Sequence, residues 1–160
     1  MFSASASSFR RHGVAAYAAL AVVAFLPKTA ITLAAGAESE AIAISDAWVS
    51  PAVQAGGNLA LSMSIRNEGA AADTLLRVRC PVANFSEKHI VDRGEGAPAM
   101  RAIPSIPIAA SGTTILKPDS YHVMLLQTRQ ALAVGEVFTC SIVFQKAGTM
   151  DVEVKVRGLP

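Results

Sequence analysis

The chain has 160 residues, about half of them hydrophobic, with 14 Lys and Arg against 12 Asp and Glu and a formal charge of +2. It contains no basic run and no stretch of aromatics interleaved with arginine, so nucleic-acid binding is excluded as a main activity. Its length fits one domain with a proper core, preceded by a short extra segment.

That segment comes first. Arg10 and Arg11 precede an uncharged apolar run from Val14 to Leu26 (VAAYAALAVVAFL), Pro27 breaks it, and Ala35-Gly36-Ala37 supplies small residues for a cleavage site. The pattern reads as a secretory signal over residues 1–37 with cleavage before Glu38. The run is shorter than the ~20 apolar residues of a membrane-spanning helix, and the SFRRHG context is a poor twin-arginine motif. Removing Arg10, Arg11 and Lys28, with no acid among these residues, lowers the formal charge from +2 to −1. The domain is then residues 38–160, and export places it in an oxidising compartment.

From there on the hydrophobic period is two, which means strands. The expected strands are 42–49, 59–65, 74–80, 86–91, 100–103, 113–116, 121–126, 137–144 and 150–156. In the second, Leu59, Leu61, Met63 and Ile65 alternate with Ala60, Ser62, Ser64 and Arg66; in the last, Met150, Val152, Val154 and Val156 alternate with Asp151, Glu153, Lys155 and Arg157. Turn signals separate them, among them Gly56-Gly57, Asn67-Glu68-Gly69, Gly94 to Pro98, Pro118-Asp119 and Ala147-Gly148. No segment shows a period of 3.6. Many short strands with frequent turns predict an all-β antiparallel Greek-key sandwich or barrel. Met63 and Met150 fall on apolar faces and read as core.

Cys80 and Cys140 are the only cysteines. By strand parity each shares a face with apolar neighbours, Val78 for the first and Phe138, Ile142 and Phe144 for the second. Both therefore point inward, either as a disulfide or as two small buried hydrophobes that never meet.

Four remaining residues carry the chemistry. His89, Met100, His122 and Met124 read His-x10-Met-x21-His-x-Met, and the only other histidine, His12, lies in the leader. His122 and Met124 are two apart on a strand, so imidazole and thioether project from one face. His89 and Met100 flank Val91 to Ala99, a Gly- and Pro-rich segment able to fold back as a hairpin and bring them together. Two neutral imidazoles and two thioethers, with no thiolate and no carboxylate, suit Cu(I) far better than zinc, calcium or magnesium. Each residue also has a plain reading: His122 and Met124 as one apolar strand face, Met100 as a turn residue, His89 as a solvated strand histidine. A blue-copper centre would need a Cys thiolate beside a His and a Met, which neither cysteine has. A hydrolase would need a nucleophile elbow, which is absent. An exported β-sandwich scaffold with incidental His and Met is the remaining alternative.

The same four residues, at the same spacing, resemble the signature of the PCuAC-type periplasmic copper chaperones. The resemblance extends through ISDAWVSPA (44–52), AGGNLALSMSIRNEGAAADTLLRV (55–78), CPVA (80–83), IPSIPIAASGTTILKPDSYHVMLL (103–126) and LAVGEVFTCSIVFQKAGTMDVEV (132–154). It implies a cupredoxin-like β-sandwich in the periplasm, monomeric and without catalytic activity. Its function would be to carry Cu(I) on His89, Met100, His122 and Met124. The recipients it implies are the binuclear copper centre of cytochrome c oxidase, or the thioredoxin-like assembly factor that serves it. The chain departs from the family pattern where Ile90 and Val91 replace a frequent second Met, where Ser50 replaces an Arg, and where Lys117-Pro118-Asp119-Ser120 replaces a Gly-rich turn. None of these removes a ligand. With no Met- and His-rich extension after Pro160, a single Cu(I) site is expected.

Overall fold

The computed structural model describes residues 41–94 and 96–158; the leader expected over residues 1–37 lies outside them. Ten strands make up the described fold: β1 Ile42–Val49, β2 Leu59–Asn67, β3 Asp73–Arg79, β4 Ala83–Asp92, β5 Ala99–Ile103, β6 Ile106–Ile108, β7 Gly112–Leu116, β8 His122–Thr128, β9 Val137–Phe144 and β10 Thr149–Val156. The hydrogen-bonded order is β5-β4-β8-β2-β1-β10-β9-β3-β6, with β7 also on β2. The all-β expectation holds, with one difference. The pair β1 and β10 is parallel, matching Trp48 with Lys155 and Val49 with Val156, while the other pairs are antiparallel.

Alternation puts the aliphatic side chains inside. Val49, Leu61, Ile65, Leu75, Val123, Leu125, Ile142 and Val154 are fully enclosed. Met63 is buried, and Met150 packs half-buried against the same core. Burying each such side chain contributes about 1.5–3 kcal/mol. Cys80 and Cys140 are joined in a disulfide that ties the end of β3 to β9. At the other end of β3, the buried Asp73 carboxylate accepts backbone N–H bonds from Thr74 at 2.6 Å, Lys146 at 2.9 Å and Ala147 at 3.0 Å. It thereby holds the β9–β10 turn, where Gly148 has φ +78°, against β3. A carboxylate out of water is tolerable there because three donors replace its hydration.

One edge of β2 positions the site. Residues Leu59, Ala60 and Leu61 pair with β8, and Met63 through Asn67 pair with β7. The chain therefore follows one edge twice, turning between Lys117 and Tyr121, where Lys117 N–H donates to Tyr121 O and Ser120 N–H to Lys117 O. His122 is the first residue of β8 after that turn.

Candidate metal centre

Side chains directly opposite in a ladder share a face. Across β4 and β8, His89 pairs with His122, Glu87 with Met124, and Phe85 with Leu126. Across β4 and β5, Val91 pairs with Met100 and His89 with Ala102. His89, Met100, His122 and Met124 therefore all project from one face of the β5-β4-β8 sheet. The opposite face of β8 carries Val123 and Leu125 into the core.

The structure brings together both halves expected from the sequence, but pairs them differently. The turn of the β4–β5 hairpin does return Met100 toward His89, one step diagonal to it. The nearest contact, however, runs between the halves, with His122 Nε2 3.2 Å from Met100 Sδ. The two imidazoles meet edge to face with centroids 5.6 Å apart. His122 is 1% exposed and His89 is buried, whereas Met100 is 57% exposed and Met124 half-buried. Two enclosed nitrogen donors thus lie under a sulfur that faces outward.

The turn before β8 sets the chemistry of His122. Ser120 O accepts from Val91 N–H at 3.2 Å and from His122 Nδ1 at 3.1 Å. A carbonyl only accepts, so the neutral ring carries its proton on Nδ1, and Nε2 presents its lone pair to Met100 Sδ. A thioether has no proton to give. Two electron-pair donors therefore stand 3.2 Å apart with no hydrogen between them. The opposite tautomer moves the same conflict to Ser120 O. Only a cation at Nε2, either a proton or a metal ion, satisfies both contacts.

His89 is held in a complementary way. Its Nε2 lies 3.2 Å from the exposed Glu87 carboxylate, while its Nδ1 is buried and has no hydrogen-bond partner. An orphaned buried nitrogen is a rare and costly arrangement. A carboxylate behind a ring nitrogen is the usual support for a metal-binding histidine, since it fixes the tautomer and leaves the other nitrogen as ligand. Among the described residues no three His, Cys, Asp or Glu side chains are placed to hold a metal ion.

Two supporting groups were not singled out by sequence reasoning, Glu87 and the Ser120 carbonyl. Glu87 was detectable, being two residues before His89 on the same strand. Arg93 adds a further tie by donating to Asp119 O at 3.0 Å, which joins the hairpin tip to the turn before His122.

The model of the LpqE-like family, described as "Putative lipoprotein LpqE-like", matches residues 42–156. The chain belongs to this family. A relative from Leifsonia xyli, "Putative lipoprotein Lxx21020", is 26% identical over 133 residues, spanning 82% of this chain and 78% of that protein. The two cysteines here bond each other, so neither is a free thiol for a lipid chain. Among solved structures, the copper-bound PCuAC domain from PmoF2 aligns with a TM-score of 0.64 at 20% identity, covering 74% of this chain and 94% of its own. The Cu(I) form of DR1885 from Deinococcus radiodurans aligns at 0.59 and 23%, covering 76% and 83%. These likenesses establish that this chain shares the PCuAC fold.

Proposed function

We propose that this protein is an exported Cu(I) metallochaperone that carries one ion on His89, Met100, His122 and Met124 and hands it to a cuproprotein. The observation that carries the reading is the 3.2 Å contact between His122 Nε2 and Met100 Sδ, on a face shared with His89 and Met124. Soft, neutral donors bind Cu(I) well and hard divalent ions poorly. Copper in the PmoF2 domain and in DR1885, which share the fold, supports the same reading.

The set holds the ion without thiolate, so it binds firmly yet yields to a stronger ligand. His122 and His89 are fixed from behind by Ser120 O and Glu87, and they supply the anchored half. Met100, exposed on the hairpin, supplies the half that an acceptor can displace. Transfer proceeds by ligand exchange. The acceptor's thiolate or imidazole enters beside Met100, a mixed shell forms, and the histidines release last. The binuclear copper centre of cytochrome c oxidase, or its thioredoxin-like assembly factor, provides thiolates of the kind that complete such an exchange. No bond of the carrier is made or broken apart from those to the metal, so the role is delivery rather than catalysis.

Anaerobic titration with Cu(I) against a chromophoric chelator tests this reading. Competition at one equivalent is expected, with weaker binding in Met100→Ala and His122→Ala. No competition by the wild type, or unchanged affinity in both variants, overturns it.

A further inference from the structure

The edges of β3 and β4 face each other across a groove of about 430 Å³. They are not paired as strands. Lys88 Nζ instead donates to Leu76 O at 2.7 Å, and Ser86 Oγ donates to Val78 O. Arg77, Arg79 and Lys88 line this groove, and no acidic side chain does. Arg66, Arg93, Arg101, Lys117 and Arg157 all have a carboxylate within 4.0 Å; among the described residues Arg77, Arg79 and Lys88 have none, as do Arg129, Lys146 and Lys155, but only the first three share one groove. Three cations drawn together without a counter-charge repel one another, and an anion between them removes that cost.

We infer that this groove docks an acidic, extended protein segment. Two observations choose a peptide over other anions. The cations line a concavity, which a flat bilayer surface cannot enter. Apolar Leu76, 41% exposed, and Phe85, 61% exposed, flank the cations, and a bare inorganic anion gains nothing from them. An acidic segment with an apolar residue fills both kinds of contact.

Phe85, at the rim of the groove, projects from the ligand face, while Ser86 and Lys88 project from the opposite face of β4. Phe85 is four residues before His89 on the same face of β4, about 13 Å along the strand. The inference rests on the metallochaperone reading in one respect, that the segment belongs to the protein receiving the ion. Phe85 and Leu126, paired across β4 and β8, mark the way from the groove toward Met124, and Glu87 stands opposite Met124. Charge complementarity here sets the rate and orientation of encounter, while the soft ligands set copper affinity.

The test uses the copper-free protein, ¹⁵N-labelled, titrated with the capped peptide Glu-Asp-Leu-Glu-Asp. The comparison probes are its Gln-Asn-Leu-Gln-Asn counterpart, inorganic phosphate, and phosphatidylglycerol vesicles. The expected result is saturable amide shifts confined to residues 76–79 and 84–88 with the acidic peptide alone. Binding should weaken about tenfold in the double variant Arg77→Gln, Arg79→Gln, whose side chains are exposed and whose loss leaves the core intact. Equal shifts with the neutral peptide, shifts with phosphate or vesicles at these amides, or no shifts at all overturn the inference. Cu(I) titration of the same variant keeps the two readings apart, with unchanged affinity expected. A loss of copper affinity there would assign the arginines to the metal site and overturn docking as their role.

Discussion

Cys140 on β9 and His122 on β8 are almost equally enclosed, at 0% and 1% exposure, yet their surroundings differ. Around Cys140 every demand is met. The thiol is consumed in a disulfide, the neighbours on its face are apolar, and at the far end of β3 the Asp73 carboxylate has three backbone donors. Around His122 and His89, demands are left open. One imidazole lone pair faces a sulfur, another ring nitrogen has no partner, and the covering methionine stands out toward solvent. Unsatisfied polar groups cost stability, so a fold retains them where something else is to complete them. The disulfide end is closed in itself, and the β5-β4-β8 face holds the donors of the proposed metal site.

Removing the bridge by Cys80→Ala with Cys140→Ala breaks the first half of this contrast. It opens a loop of sequence separation 60 and is expected to cost about 4 kcal/mol in the chain-entropy model. Chemical denaturation measures the loss. Where the variant remains folded, Cu(I) affinity should be unchanged; a parallel loss would mean the two ends are one cooperative device. Asp73→Ala comes next, at about 2–3 kcal/mol, because three backbone N–H groups lose their acceptor. The same denaturation curve reads it, again with copper binding intact.

At the proposed metal site copper binding falls as well. His122→Ala should lower Cu(I) affinity on the order of a hundredfold, about 2.7 kcal/mol, in addition to the stability lost by emptying a buried site. Chelator competition and thermal melts are the paired measurements, and a large melt shift without a binding loss would return His122 to an ordinary core role.

Alternation made most of this fold readable in the sequence. A strand such as β2, with Leu59, Leu61, Met63 and Ile65 turned inward, announces both its extent and its buried face. The strand β6 was missed because it is three residues long and contains Pro107, so it has no alternation to detect. The parallel pairing of β1 with β10 was invisible for another reason: period two states which face is buried and says nothing about which neighbour lies alongside. The same limit applied at the site. His122 and Met124 share a face by spacing alone, and that was legible. That His122 would meet Met100, and that His89 would lie opposite His122, depends on the register of β4 with β5 and β8, which only the assembled sheet fixes. Parity likewise turned both cysteines inward without stating that they meet.

The exposure of Met100 has a chemical cost besides its use in exchange. A thioether reachable by a partner is also reachable by peroxide, and a sulfoxide is a polar oxygen donor rather than a soft sulfur. Under mild peroxide the copper-free protein should gain its first oxygen at Met100, with the core residue Met63 spared. Peptide mapping by mass spectrometry reads the order, and Cu(I) loaded beforehand should slow the reaction. In an oxidising compartment, each delivery would then return the carrier to its most vulnerable form, tying its working life to how soon it is reloaded.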